Sequence, residues 1–347
     1  MSNYELQHAK IAKKDAFYTD FSVIEAELSH YKQYLNGRTI YCNCDDPFES
    51  NFFKYFVINF NKLKIKELIT TSYRYSEIED SRPGENKAYK AVVTNVNDTL
   101  LLSSRADYDY LFSLEGNSLT TLSGDGDFRS SECLRILDKA DIITSNCPFS
   151  LFNEYVNVLM EHNKKFIILG NINAITYKSF FPRLKNKDVW VGPSIHSGDR
   201  KFYVPNDYPL NATGCGIEED GRKFIRVKGV RWFTNVGVSN FNKGITLEKN
   251  YKNHKDDFPT YDNYNAIHID KTKNIPYDYT GIMGVPITFM DNYNSEQFEI
   301  VGIDHEVKNN RLHEIINPTW QGKLDRGYIK GKRKYSRILI RNKHPHS

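Results

Sequence analysis

The stretch Asp141-Ile142-Ile143-Thr144-Ser145-Asn146-Cys147-Pro148-Phe149-Ser150 decides how this chain is read. A short β-branched run, opened by an aspartate and closed by polar residues, a proline and an aromatic, predicts a buried parallel strand that delivers side chains at its carboxyl end. In open α/β sheets that end is where ligands bind. An amide, a backbone carbonyl and an aromatic face within four residues can hold a flat, amino-bearing ring. The two oxygens accept its N–H protons and the aromatic covers its face.

Outward from this strand, the chain alternates between strand and helix. Residues 39–42 predict a first strand and residues 51–60 a helix, with Phe52, Phe53, Phe56, Val57 and Phe60 on one face. Between them Asp45-Asp46-Pro47 opens an acidic strand-to-helix turn, where backbone N–H groups and carboxylates can meet a ligand bearing an ammonium and hydroxyls. A second strand is expected at 67–71. Residues 73–113 read as an insertion with hairpin strands at 88–94 and 99–103. Gly124-Asp125-Gly126-Asp127-Phe128 then makes a tight loop before a helix starting near Ser131. After the central strand come a helix at 151–160 and an apolar strand at 166–169. The pattern predicts an α/β doubly wound sheet, with 189–191, 224–227 and 230–234 supplying an antiparallel edge. A loop over 192–221 carries His196 and Arg200.

The bulk numbers fit such a protein. A chain of 347 residues suits about two domains. No apolar run approaches membrane-spanning length and no signal peptide is visible, so a cytoplasmic location is expected. Cys42, Cys44, Cys133, Cys147 and Cys215 lack paired or zinc-ligand spacing, and no metal is expected. The net charge of +4 is too small to assign nucleic acid by itself. Its distribution says more, because nine Lys/Arg, among them Lys332 and Arg333, stand against Asp325 alone from residue 321 onward. That run fits either a phosphate-contacting stripe or a charge-guarded edge strand at 338–340. From about residue 241 the composition shifts towards Asn, Tyr, Asp and Lys.

Asn146-Cys147-Pro148-Phe149 resembles the Asn-Pro-Pro-Phe/Tyr tetrad of S-adenosylmethionine-dependent amino-methyltransferases, and the wider chain resembles the EcoRI-type adenine-N6 DNA methyltransferases. The matching segments include Tyr41-Cys42-Asn43-Cys44-Asp45-Asp46-Pro47, Gly124-Asp125-Gly126-Asp127-Phe128, Gly170-Asn171-Ile172-Asn173, Ile195-His196-Ser197-Gly198-Asp199-Arg200, Arg231-Trp232-Phe233-Thr234-Asn235 and Gly284-Val285-Pro286-Ile287-Thr288-Phe289. Cys147 replaces the first proline of the tetrad. The resemblance implies a Rossmann-like catalytic domain over 1–240, with 1–36 closing over the cofactor, and a target-recognition region over 241–347. It implies S-adenosylmethionine held by Phe17-Tyr18-Thr19, by Asp45, Asp46 and Pro47, and by Asp125, Asp127 and Phe128. It also implies double-stranded DNA met by His196, Arg200, Arg231, Lys332 and Arg333, a GAATTC-like site, and a cognate restriction endonuclease that forms no stable complex.

On that reading the Asn146 side chain and the Cys147 carbonyl accept the protons of the adenine amine, Phe149 stacks on the base and Pro148 stiffens the turn. Cysteine keeps the carbonyl but lacks the fixed φ of proline. Two alternatives stay open: a homologue that binds DNA with weakened or silent catalysis, and an amino-methyltransferase of RNA or protein.

Overall fold

The structure, a computed structural model, describes residues 18–74, 87–204, 210, 214–237, 244–309 and 312–346. These form two compact units, the first drawn from Met1–Asn171 and Gly192–Gly237, the second from Ile172–Val191 and Val238–Ser347. The chain passes between the units after Asn171, after Val191 and after Gly237. The segment at 172–191 carries no compositional shift, and it joins the second unit because Phe180, Phe181 and Leu184 bury apolar surface there.

The first unit is built on a mixed sheet. Its strands are β1 (Thr39–Cys42), β2 (Glu67–Thr71), β3 (Tyr89–Val93), β4 (Ser118–Thr121), β5 (Ile142–Ser145), β6 (Lys165–Asn171) and β7 (Val230–Thr234), in the spatial order β4-β3-β2-β1-β5-β6-β7. The four central strands run parallel, through the pairs β2 with β1, β1 with β5 and β5 with β6. Antiparallel pairing flanks them, β3 on β2, β4 on β3 and β7 on β6. Strands buried on both faces read as apolar runs, and every residue of β1 and of β5 is buried.

Helices α1 (Asn51–Ile58), α2 (Ser131–Lys139) and α3 (Phe152–Glu161) follow β1, β4 and β5. Phe52, Phe53, Phe56 and Val57 of α1 are at most 1% exposed, and Phe52 meets Trp232 of β7 edge-on at 5.9 Å. Truncating any of these phenylalanines to alanine removes packing worth roughly 3–5 kcal/mol. Gly170 in β6 lets α3 lie close, because a Cβ there would come within 2.3 Å of the Phe152 ring.

Three local expectations fail, the first being the loop expected over 192–221, which contains the strands Asp199–Val204 and Gly216–Ile217. Residues 99–103 form no strand. The partner of β3 is β4, and Arg105–Ser113 between them is a helix closed by a capping box of Ser104 and Asp107. Lys223–Lys228 leaves the main sheet to pair with Asp199–Val204, in a small antiparallel sheet that also holds Tyr18–Thr19 and Gly216–Ile217.

In the second unit, Ile267–His268, Met283–Pro286, Arg337–Asn342 and Phe298–Ile303 form a sheet in that order. The strand containing Ile338, Leu339 and Ile340 is therefore interior, with all three side chains buried, and is not a charge-guarded edge. No helix among the described residues is long and apolar enough to cross a membrane.

Candidate active site

The chain leaves β1 for β2 on one side, and β5 later fills the other side of β1. Their carboxyl ends therefore flank the point where the winding reverses, the crevice that open α/β sheets use for ligands. Two turns meet there, Asn43 to Ser50 after β1 and Asn146 to Phe149 after β5.

The first turn is organised by capping. Ser50 is the N-cap of α1, where its Oγ accepts from the Phe52 N–H at 3.0 Å. The same hydroxyl donates to Asp45 Oδ1 at 2.6 Å, while Ser145 Oγ at the end of β5 donates to Asp45 Oδ2 at 2.6 Å. One carboxyl group thus spans the crevice. Burial pushes the Asp45 pKa up to about 6, against the pull of the two serine bonds. Asp46 and Pro47 are also buried, and Asp46 Oδ1 accepts from the Phe48 N–H. Asn51, the first residue of α1, donates from Nδ2 to the Thr19 carbonyl at 2.8 Å, which brings the Tyr18-Thr19 strand to the crevice. Phe17 lies outside the described residues.

The glycine–aspartate loop is held by its backbone. Gly126 has φ +79°, and a Cβ there would fall 2.0 Å from the Ser72 carbonyl oxygen, so this position demands glycine. Asp125 accepts from the Asp127 N–H at 3.0 Å through its side chain and from the Arg74 N–H at 2.7 Å through its carbonyl. The Asp127 carboxylate takes the Arg129 backbone N–H at 2.8 Å and two guanidinium bonds at 2.7 and 3.0 Å. Burial acts to raise its pKa, but the Arg129 hydrogen bonds outweigh it and hold the carboxyl below the usual range. Arg129 reaches on to Glu154 in α3 at 2.7 Å. Phe128 is 5% exposed and meets the Tyr155 ring edge-on, and the Tyr155 hydroxyl donates to Asn43 Oδ1 beside β1.

In the tetrad, Cys147 is 1% exposed, while Asn146, Pro148 and Phe149 are half-buried. Phe149 opens a 3-10 turn, Phe149–Leu151, closed by the Leu151 N–H on the Pro148 carbonyl. Its ring meets Phe202 at 6.3 Å and 89°, and Phe202 stands opposite Thr19 in the small sheet.

The cationic candidates fall apart. His196 is exposed and bonds through a ring nitrogen to the Pro193 carbonyl. Arg200 is half-buried on the carbonyls of Ser197 and Asp199. Arg231 is only 3% exposed and donates to the carbonyls of Val230 and His196 at 2.8 Å each, so it braces the His196 loop from inside. Lys332 and Arg333 are exposed on the second unit, Arg333 paired with Asp325 at 2.6 Å.

Sequence reasoning missed Asn43, Ser50, Ser145, Tyr155 and Phe202. A capping serine just before an apolar helix was a legible signal for Ser50. The pairing of Ser145 with Asp45 follows from strand order, which no local pattern announces. Among the described residues no group of three or more His, Cys, Asp or Glu could hold a metal ion, and none of the five cysteines is in a disulfide.

The sheet and the crevice at its reversal have the layout of a Rossmann-like α/β fold, the class to which methyltransferases of this family belong. Over residues 5–343 the chain matches the family described as adenine-specific methyltransferase EcoRI, and it belongs to that family. It is an adenine-specific DNA methyltransferase. Among its relatives is the type II methyltransferase M.EcoRI of Escherichia coli, 38% identical over 99% of this chain and 97% of its own. Two others are M.MgeORF184P of Mycoplasma genitalium, 34% identical over 97% and 98%, and M.MpnI of Mycoplasma pneumoniae, 30% identical over 96% and 97%. No solved structure matches the chain.

Proposed function

We propose that the enzyme methylates N6 of an adenine turned out of duplex DNA, with S-adenosylmethionine as donor and a GAATTC-like sequence as target. The observation that carries this reading is the Asp45 carboxyl joined to both Ser50 and Ser145, because it sets the acidic turn beside the tetrad at the reversal point.

The residues fit the donor. Thr19 Oγ1 is buried with no hydrogen-bond partner among the described residues, next to the acidic turn. A buried hydroxyl in that condition favours a polar ligand. Thr19, Asp45 and Asp46 would hold the ammonium and hydroxyls, and Phe128 with Asp127 the adenine, Arg129 sharing the Asp127 carboxylate. When bound, the donor supplies a methyl group already activated on a sulfonium. Positioning the acceptor therefore carries most of the burden.

The amine of adenine is a poor nucleophile because its lone pair is delocalised into the ring. Asn146 Oδ1 and the Cys147 carbonyl accept its two protons and favour the tetrahedral nitrogen of the transition state. Phe149 covers the extruded base, which a duplex would otherwise keep out of reach. His196, Arg200, Lys332 and Arg333 are the proposed backbone contacts. A cognate endonuclease would act at the same site independently.

The test is transfer of labelled methyl groups to unmethylated genomic DNA, with modified positions mapped and Asn146→Ala as control. N6-methyladenine at one sequence, absent in the control, is expected. No incorporation by a folded protein that binds both donor and DNA would overturn the reading in favour of a silent homologue.

A further inference from the structure

Tyr335 is 87% exposed, more than any other large hydrophobic side chain among the described residues. Its backbone is nonetheless firmly held. On one side the Lys334 N–H bonds to the Gly327 carbonyl at 2.8 Å. On the other, Ser336 Oγ and the Arg337 N–H bond to Asp304, fully buried, at 3.0 and 2.9 Å. A chain pinned on both sides, with a large aromatic left in solvent between the pins, offers a rigid platform that the core does not use.

The surroundings indicate what such a platform would meet. Tyr328–Ile329 and Lys332–Arg333 form a hairpin whose turn, Lys330-Gly331, has positive φ at both residues. The Gly331 N–H is fixed on Asp262 Oδ2 at 2.8 Å. Lys330, Lys332 and Arg333 are exposed on it, and Lys334 follows directly. Of these four cations, Arg333 alone has an ion-pair partner among the described residues, Asp325. Cations that hold phosphates around an aromatic face that accepts a base make the combination proteins use to grip unstacked nucleotides.

We propose that Tyr335 stacks on a nucleobase of the bound DNA, with Lys330, Lys332 and Lys334 on the flanking phosphates. The inference rests on the DNA-methylating reading above and adds a base contact to it. A stacking contact and a charge contact answer to salt differently: each phosphate contact steepens the dependence of affinity on salt, whereas stacking leaves the slope alone.

The experiment measures binding of cognate duplex by wild type, Tyr335→Ala, Tyr335→Phe and Lys332→Gln over a salt series. It also uses duplexes carrying 2-aminopurine at successive positions as a fluorescent report of stacking. Tyr335→Ala is expected to weaken binding roughly fivefold to a hundredfold with an unchanged salt slope. It should also abolish quenching at one position that Tyr335→Phe retains, while Lys332→Gln lowers the slope by about one. Tyr335→Ala that binds, quenches and methylates like an active wild type would overturn the inference and leave the function intact. A wild type that neither binds nor methylates duplex DNA would overturn both.

Discussion

Ser145 at the end of one central strand donates to Asp45 in the turn after its neighbour, across the point where the sheet reverses its winding. This bond ties together the two turns of the candidate site, beyond the strand pairs Ile40 with Ile142 and Tyr41 with Ile143. Ser145→Ala leaves Asp45 with Ser50 alone. The expected loss is about 1–3 kcal/mol of stability, read from denaturant midpoints, with weaker donor binding by calorimetry. Unchanged donor affinity would separate the bond from cofactor positioning.

The buried carboxyl group also predicts how stability depends on pH. Asp45 has a folded pKa near 6 against an ordinary 3.8, so between those values the folded state binds more protons than the unfolded one. Its contribution is fully present below about pH 4 and is lost as pH rises through 6, a change of about 3 kcal/mol as an order of magnitude. Asp304 in the second unit, raised to about 6 by burial, acts in the same sense. His268, lowered to about 4 by burial, acts in the opposite one. Unfolding free energies of Asp45→Asn between pH 4 and 7 isolate the first group. The variant should lose less stability over that interval than wild type, and an equal loss would show that Asp45 titrates normally.

Cys147, 1% exposed, stands where the resemblance expects proline, and cysteine has the same backbone carbonyl that the proposed chemistry needs. Cys147→Pro is expected to raise turnover severalfold, by fixing φ in a turn that positions an acceptor. Single-turnover rates measure it. No change would mean that packing alone holds the turn.

Phe202 supports the ring of Phe149 edge-on, and aromatic pairs of this kind contribute about 0.5–1.5 kcal/mol beyond burial. Phe202→Leu should lower kcat several-fold while leaving donor binding intact, and Phe202→Tyr should restore part of it. A parallel loss of donor affinity would indicate general loosening of the small sheet.

The central strand, its parallel neighbours and the helix behind the phenylalanine face were legible because burial on both sides of a sheet writes itself into short apolar runs. Asp45 and the tetrad were legible as turns at strand ends. What sat outside reach depended on pairing between distant segments. Nothing local separates Lys223–Lys228, which enters the small sheet, from Val230–Thr234, which enters the large one. The resemblance puts Arg231 on DNA, whereas its guanidinium is buried on two carbonyl partners that make the burial tolerable. The Arg129 side chain folding back on Asp127 is likewise a contact that no local pattern announces.

The helix Phe181–Lys185 lies in the second unit, where Lys185 donates to the Val301 carbonyl at 2.7 Å. This arrangement bears on any attempt to exchange sequence preference between relatives. A graft cut at residue 238 would carry the later sheet into a foreign host without the helix that packs beside Phe298–Ile303, leaving the Val301 carbonyl without its Lys185 donor. The second unit must therefore travel as two pieces of chain, 172–191 together with the segment from 238 onward.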